Sequence, residues 1–565
     1  MPKAQGLQAN ASFVPTEERH GYVMKKYIIK ALILLGFSMT FLYACKPSED
    51  NKDKVTHISS DETGNGMGGE TDTDLDKEED KAGTDTDAEE SVSCLEDNYD
   101  PGFSIIIEAE EAQFTGNVKV ENKKHGYTGS GYLTGIQEDS DIVTFTIKVP
   151  GTGAYDLNFR SVGNTGYKEN NIYIDGEYIG IAKVDGDEFT DSFLEKIYLE
   201  TGEHEITMKK SWGWIFLDHL EIIASGPVDR SIYEVSSELV DPKASESAKR
   251  LMKFLVDSFG NKVISGQYSN GGLNGKEFKA IYDGTGKYPA MLGLDFIEYT
   301  PSRVAFGSKG NDVEHAIEFD KEGGIVTFAW HWNAPEPYLP NRQDQPWWSG
   351  FYTRATNIDL MKIMNGEDEE GYNLLIRDID AIAKELKILE AADVPILWRP
   401  LHEASGGWFW WGASGPEPYI ELYKLLFDRL SNHHDIHNLI WVWNGQGRDW
   451  YPGDEYVDIV GTDLYPGERV YSSQAASFNE LLDWLDKSRK IIALTENGCI
   501  FDPDLAFRDN AIWSYFGTWS GEFVILNNTY TLSEKYTETD MLIKAYTSDK
   551  VLTLDELPNL KSYGN

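Results

Sequence analysis

Cysteine is scarce: Cys45, Cys94 and Cys499 are the only three in a chain of 565 residues. They are too few for a disulfide framework, and none has metal-ligand spacing, so the fold must be held by its apolar core. Basic charge is also short. Lys and Arg number 51 against 94 Asp and Glu, a formal net charge of -43, which excludes nucleic acid as a partner because its recognition depends on neutralising phosphates. No Gly-rich loop follows a strand pattern, so nucleotide-binding folds lose support. His402-Glu403 lacks the second histidine that a zinc protease places four residues on, where Gly406 stands instead. The apolar run from Ala31 to Ala44 falls short of the roughly 20 residues that span a bilayer comfortably. Aromatic residues are plentiful, with 16 Trp and 30 Tyr, a surplus that points to flat, stackable ligands. The length suits two or three domains joined by linkers.

Lys25-Lys26, the apolar run and the small residue before Cys45 read as a secretory signal, with translation starting at Met24. Leu42-Tyr43-Ala44-Cys45 resembles the lipobox of bacterial lipoproteins. That resemblance implies lipidation of Cys45, membrane attachment through this lipid alone, and an outer-membrane location facing the cell surface. Residues 46–100 carry 19 acidic and 5 basic side chains among Gly, Ser and Thr. Such a segment cannot bury enough apolar area to offset its ordering entropy, and reads as a self-repelling tether. Its start, Lys46-Pro47-Ser48-Glu49-Asp50, is similar to surface-export tags on lipoproteins of Bacteroidetes-like bacteria. We assign 1–45 to the signal and 46–102 to the acidic linker.

Residues 103–225 show short alternating runs separated by Gly turns: Ile142 to Val149, Tyr155 to Val162, Asn170 to Ile174, Phe193 to Leu199, His204 to Met208 and Ile215 to Ile223. This is the pattern of a β-sandwich. Glu108-Ala109-Glu110 would set two carboxylates on one face of a strand, which suits a hard cation. Together with Gly129-Ser130-Gly131-Tyr132, Tyr155 to Arg160 and Phe216 to Ile222, the segment resembles carbohydrate-binding module family 35. The resemblance implies a jelly-roll with a structural calcium held by Glu108, Glu110 and Asp218, and a sugar site on loops at one end. Trp212 is the expected stacking residue there, Tyr127 a second candidate, and Trp214 is expected in the core.

After a linker at 226–235, residues 236–565 alternate strands with amphipathic helices, the signature of a parallel sheet. Eight strand candidates run Lys262 to Tyr268, Ala290 to Phe296, Gly324 to Trp332, Val394 to His402, Asn438 to Trp443, Val457 to Tyr465, Lys490 to Thr495 and Gly517 to Val524. Eight such units predict a (β/α)8 TIM barrel, with a doubly wound open sheet as the alternative. Chemistry in a barrel sits at the C-terminal strand ends. There Glu403 ends strand four and Glu496 strand seven, the pairing a retaining glycosidase uses.

Trp398 to Gly412, with Trp398-Arg399-Pro400-Leu401-His402-Glu403 at its start, resembles the acid/base signature of glycoside hydrolase family 26. Ile264 to Gln267, Trp330-His331, Gly461 to Tyr465 and Ala493 to Gly498 continue the resemblance in order along the domain, while Ala404-Ser405 departs from it. It implies Glu403 as acid/base, kept protonated by an apolar wall from Trp408 to Trp411, and Glu496 as nucleophile oriented by Tyr465. His331, Arg399, His402, Trp408 and Trp519 are expected to bind substrate or fix the nucleophile's charge. Asp463 orients substrate or caps a loop, and Cys499 is a spectator. The implied activity is endo-acting β-1,4-mannan hydrolysis by a monomer without a catalytic cofactor. Another family 26 β-glycanase, acting on xylan or mixed-linkage glucan, and a non-catalytic surface glycan-binding lipoprotein are the alternatives.

Overall fold

The computed structural model describes residues 99–226, 229–485 and 488–564. The signal segment, Cys45 and the acidic stretch as far as residue 98 lie outside the described residues. The first domain is a sandwich of two antiparallel sheets. In Ile142–Val149 the side chains of Val143, Phe145, Ile147 and Val149 are buried while Thr146 and Lys148 face water, the period-two pattern of a half-buried strand. They meet Leu157, Phe159, Leu217, Leu220 and Ile222 of the other sheet in one core. All six expected strands form, and Glu177–Val184 and the edge strand Ser104–Glu108 join them. The acidic linker ends earlier than its assigned boundary. The Tyr99 hydroxyl donates to the Ala154 carbonyl (3.0 Å) and accepts from the Gly226 amide (2.7 Å), clasping the domain's entry to its exit.

The second domain is a closed parallel barrel. Its strands are β1 (Gly266–Tyr268), β2 (Met291–Asp295), β3 (Ile325–Trp330), β4 (Ile396–Pro400), β5 (Leu439–Trp443), β6 (Ile459–Leu464), β7 (Ile491–Asn497) and β8 (Phe516–Thr518). Strands covered on both faces read as continuous apolar runs, and β3 and β5 are buried at every position. The longer helices are α1 (Glu246–Ser258), α2 (Lys276–Thr285), α3 (Asp312–Lys321), α4 (Glu369–Ala391), α5 (Pro416–Phe427), α6 (Ala475–Leu485) and α7 (Thr539–Thr547). In α4, Leu375, Ile379, Ile382, Leu386 and Leu389 recur at helical spacing and are all buried. Asp368 caps its start by accepting from the Gly371 amide (2.8 Å).

Two expected strands change shape. The first breaks at Ser265, and Val263–Ile264 pairs with Val551–Leu552 outside the barrel. The eighth stops at Thr518, because Gly521, at φ 70°, turns the chain into a 3-10 helix over Gly521–Phe523. The aromatic surplus also has a different destination from the one expected. Trp330, Trp332, Trp398, Trp410, Trp411, Trp441, Trp443 and Trp513 are fully buried, so half of the 16 tryptophans fill the barrel and its helical layer.

Within the assigned linker at 226–235, the described residues from 229 onward are docked. Arg230–Tyr233 forms a 3-10 turn, and Tyr233 packs on Phe259 and Phe478 while its hydroxyl donates to the Asn510 carbonyl (2.8 Å). Helix α6 packs on strands Glu177–Val184 and Phe193–Leu199 of the sandwich, and Asn479 Nδ2 donates to the Glu195 carbonyl (3.0 Å) across the junction. For the barrel layer, Leu386→Ala should cost about 2–5 kcal/mol through its cavity. Lys384→Ala, on the exposed side of α4, should change stability by less than about 0.5 kcal/mol. Denaturant midpoints of the full chain, followed by tryptophan fluorescence, check both.

Candidate active site

Strand β4 ends at Pro400, and the chain then turns through Leu401 (φ 53°) and Glu403 (φ 52°). A left-handed backbone at non-glycine residues costs about 1–3 kcal/mol each, and survives only where the surroundings over-determine it. Here the Glu403 amide donates to the Asn444 carbonyl just past β5 (2.7 Å), and Trp408 Nε1 donates to Glu403 Oε2 (2.8 Å). Glu496 comes from β7 and Asp463 from β6. One carboxylate oxygen from each of Glu403, Asp463 and Glu496 lies within 4.8 Å of the other two.

Arg399 is fully buried beneath them. Its Nη2 donates to Glu496 Oε1 and its Nη1 to Asp463 Oδ2 (3.1 Å). The Tyr465 hydroxyl donates to Glu496 Oε2 (2.7 Å), so both oxygens of Glu496 are held. Asp463 Oδ1 accepts from Asn444 Nδ2 (2.6 Å) and from the Thr495 hydroxyl (2.7 Å). Burial pushes the Glu403 carboxyl well above the ordinary carboxylate range, and the charges of Asp463 and Glu496 push the same way. Burial, followed by the Glu496 charge, also raises Asp463.

The two histidines meet edge to face, ring centroids 4.5 Å apart. The His331 ring is hydrogen-bonded to Asp295 at the end of β2, which fixes its orientation. Burial, then the nearby Arg399 and His331, hold His402 well below its usual pKa, and so neutral. Its Nδ1 is buried without a hydrogen-bond partner. Glu403, Glu496, Asp463, Tyr465, His331 and His402 line one cleft of about 1350 Å³, along with Trp408, Phe409 and Trp519. Burial also pushes the Cys499 thiol up, to about 11, and the residue sits buried away from that lining.

Several expectations need correction. Arg399 has no exposed surface, so it positions Glu496 and Asp463 and does not bind substrate. Asp463 reaches the cleft, but both of its oxygens are engaged by Arg399, Asn444 and Thr495, which makes it a brace. The wall around Glu403 is Trp408 and Phe409; Trp410 and Trp411 are buried, their Nε1 groups donating to the carbonyls of Trp332 (2.6 Å) and His402 (2.9 Å). Trp519 lines the cleft while packing on Tyr268, ring centroids 4.8 Å apart. Asp295, Asn444, Thr495 and Tyr352 escaped the sequence reading as site residues. Asp295 and Asn444 stand at or just past strand ends, where the strand-end rule applied to every strand would have found them.

In the sandwich, the strand holding Glu108 ends there, and Ala109–Glu111 is a 3-10 turn, so Glu108 and Glu110 do not share one pleated face as expected. The turn directs both towards the loop at 128–131. Glu108 Oε2 accepts from the Thr128 hydroxyl (2.8 Å), and Asp218 Oδ1 from the Thr128 amide (2.8 Å). Glu110 Oε1 accepts from the Ser130 and Gly131 amides (2.5 and 3.1 Å), while its Oε2 is buried without a partner. Gly129, at φ 61°, lets the loop approach: a Cβ there would lie 2.6 Å from Glu110 Oε1 and 2.8 Å from the Glu108 carboxyl carbon. The donor atoms that lie within 4.8 Å of one another are those of Glu108, Asp218 and His219, so His219 stands in the group where Glu110 was expected; two carboxylates there, with the unpartnered Glu110 oxygen nearby, fit a hard cation such as calcium. Arg160 Nε, donating to Asp218 Oδ2 (2.9 Å), competes for one of those oxygens. Trp212 is 42% exposed, and Trp214, expected in the core, is 50% exposed at φ 55°. Tyr127 packs edge-on against Tyr132 at 5.7 Å and is half-buried.

Comparison with known proteins follows this division. The model of glycosyl hydrolase family 26 matches residues 240–550, and that of carbohydrate binding module family 35 matches residues 105–224. A mannan endo-1,4-beta-mannosidase of Thermothelomyces thermophilus is 42% identical over 456 residues, covering 80% of this chain and 90% of its own. Mannan endo-1,4-beta-mannosidase B of a Piromyces species is 33% identical over 471 residues, 81% of this chain and 78% of its own. The crystal structure of a GH26-CBM35 beta-(1,4)-mannanase from Podospora anserina is 40% identical with a TM-score of 0.58, covering 82% of this chain and all of that one. With both matches falling on the domains seen here, the chain belongs to glycosyl hydrolase family 26 and carries a family 35 carbohydrate-binding module ahead of its catalytic barrel.

Proposed function

We propose that the protein is an endo-β-1,4-mannanase that cleaves mannan by double displacement with retention at the anomeric carbon. The observation that carries this reading is the approach of Glu403 and Glu496 oxygens to within 4.8 Å. An inverting enzyme must fit a water between carboxyls about 6.5–9.5 Å apart, whereas a retaining one brings them to about 5–5.5 Å. Glu496, gripped by Arg399 and Tyr465, attacks the anomeric carbon. Glu403, kept protonated by burial and its anionic neighbours, gives its proton to the leaving oxygen. It then takes a proton from the water that hydrolyses the glycosyl-enzyme. Both groups are side chains, so the two steps balance without a cofactor. Mannan is favoured over xylan or mixed-linkage glucan because the relatives above, aligned over four-fifths of this chain, are mannanases by name.

His331, His402, Trp408 and Trp519 are the groups on this cleft that would meet sugar hydroxyls and ring faces. In the module, Trp212 and Trp214 offer exposed ring faces, and Tyr127 borders the same domain's Tyr132 cluster. Glu108 and Asp218, whose oxygens lie within 4.8 Å of each other, would hold a calcium with Glu110 beside them, pinning the 128–131 loop. The lipobox-like Leu42 to Cys45 and the acidic tether support a lipid-anchored enzyme on the outer surface.

Glu496→Ala should abolish release of manno-oligosaccharides while leaving the fold unchanged by circular dichroism. Glu403→Ala should lower turnover of mannan about 10²–10⁴-fold, yet spare the first step on aryl glycosides with good leaving groups; equal loss on both substrates would remove the acid role. The kcat/KM profile should lose activity at high pH as Glu403 gives up its proton. Because the Asp463 charge helps to raise Glu403, Asp463→Asn should move that alkaline limb to lower pH, and an unmoved limb would count against the pairing. Chelation with EDTA should lower the thermal unfolding midpoint of the sandwich, with added Ca²⁺ restoring it; an unchanged midpoint would remove the calcium site.

A further inference from the structure

The catalytic cleft does not end at the strand ends. Ser477, Glu480, Leu481 and Trp484 of α6 line it too, and their spacing places them on one face of that helix. The cleft therefore continues along the side of the barrel. One more lining residue, Lys183, belongs to the other domain, on the strand Glu177–Val184. Its Nζ lies 3.9 Å from Glu480 Oε2, with both side chains about half exposed. That separation is an ion pair too long for a hydrogen bond, so the ammonium and the carboxylate still have protons and lone pairs to offer a ligand.

Lys183 is held there by the domain junction. Ala476 of α6 faces Gly180, where a Cβ would come within 3.1 Å of the alanine methyl. Asn479, which is buried, bonds the Glu195 carbonyl, and Arg508 pairs with Glu177 at 3.4 Å. The extension is continuous with the catalytic pair: the Ser405 hydroxyl, two residues past the acid, donates to the Gln446 carbonyl (2.7 Å), and Gln446 and Gly447 line the same cleft as Glu403, Glu496 and the α6 face.

We infer that Lys183 of the binding module, with Glu480 and Trp484 of α6, forms a distal sugar subsite shared between the two domains, which takes one end of a bound β-mannan chain. A half-buried indole offers a ring face to the C–H face of a pyranose, and the ion pair offers a donor and an acceptor to its hydroxyls. A docked module is thus one wall of the catalytic cleft as well as a separate sugar-binding domain.

The inference rests on the mannanase reading, and the test separates the two. Full-length wild type, Lys183→Ala/Glu480→Ala and Ala476→Arg, the last wedging the junction apart, are compared on mannotetraose and mannooctaose. The ratio of kcat/KM for the long substrate to that for the short one should fall about three- to tenfold in both variants, through KM more than kcat. Lys148→Ala, an exposed lysine elsewhere on the module, should keep the wild-type ratio. Unchanged ratios in both variants, with wild type turning over both substrates, would overturn the subsite alone. Failure of wild type to cleave either substrate would overturn the mannanase reading and the subsite with it.

Discussion

One buried guanidinium governs the charge on the catalytic floor. Arg399 faces three carboxyls whose oxygens cluster within 4.8 Å, and it pairs with two of them, Glu496 and Asp463. A single cation cannot balance three anions in a place that water hardly reaches, so the least compensated carboxyl takes a proton, and that carboxyl is Glu403. The acid of the first step is thus set by where Arg399 points. The same arrangement lets Glu403 change role. Once Glu496 is esterified to the sugar its charge is gone, one of the influences raising Glu403 disappears, and the proton that Glu403 recovers from water is held less tightly. Removing one partner from a buried ion pair costs about 3–5 kcal/mol, so the floor resists rearrangement during the cycle.

The barrel's rigidity is what makes this balance usable. Thr495 and Asn444 tie β5, β6 and β7 together around Asp463, so the brace of Arg399 is itself braced. The backbone at Leu401 and Glu403 is strained, and Asn444, holding the Glu403 amide, connects that strain to the same network. Beneath the site, Trp330 stacks on Trp332 with centroids 4.1 Å apart, and Trp332 meets Trp410 at 5.1 Å. Those rings fix the floor through packing and through their indole N–H groups, which donate to Thr300, Asp378 and the Trp332 carbonyl, and this explains why so much of the aromatic content is spent out of substrate's reach.

The period of the apolar pattern made the barrel legible: runs such as Ile325 to Trp330 have no polar face, which only a strand covered on both sides can sustain. Glu403, Glu496 and Tyr465 were legible for a related reason, since strand ends are where a barrel displays polar side chains. What escaped the sequence was partnership. Nothing in the spelling of Asp463 says whether its oxygens meet sugar or meet Asn444, Thr495 and Arg399. Likewise the run Trp408-Phe409-Trp410-Trp411 reads as one apolar wall, yet a 3-10 turn over Trp410–Gly412 sends two of its rings into the core. The same local bending took Glu110 off the pleated face that it was expected to share with Glu108. Propensity and period describe an element's body well, and its last turn poorly, because the last turn is decided by contacts far away in sequence.

The junction between the domains shows the same dependence on distant contacts. A module on a free tether raises local substrate concentration without shaping how the chain enters the cleft. Here residues 229–235 pack on the barrel, with Tyr233 buried in its outer layer and its hydroxyl bonded to Asn510, and the contacts of α6 with strands Glu177–Val184 and Phe193–Leu199 hold the module against the same layer. Across the interface, burial and the facing Asp483 raise the Glu195 carboxyl, so part of the contact is between two acids on opposing domains. Apposed carboxyls of this kind are tolerated only where surrounding packing holds them, as the Asn479 bond and the Ala476 approach to Gly180 do. Lys183 of the module lines the catalytic cleft, and its place there is set by the docking of α6 on strands Glu177–Val184 and Phe193–Leu199.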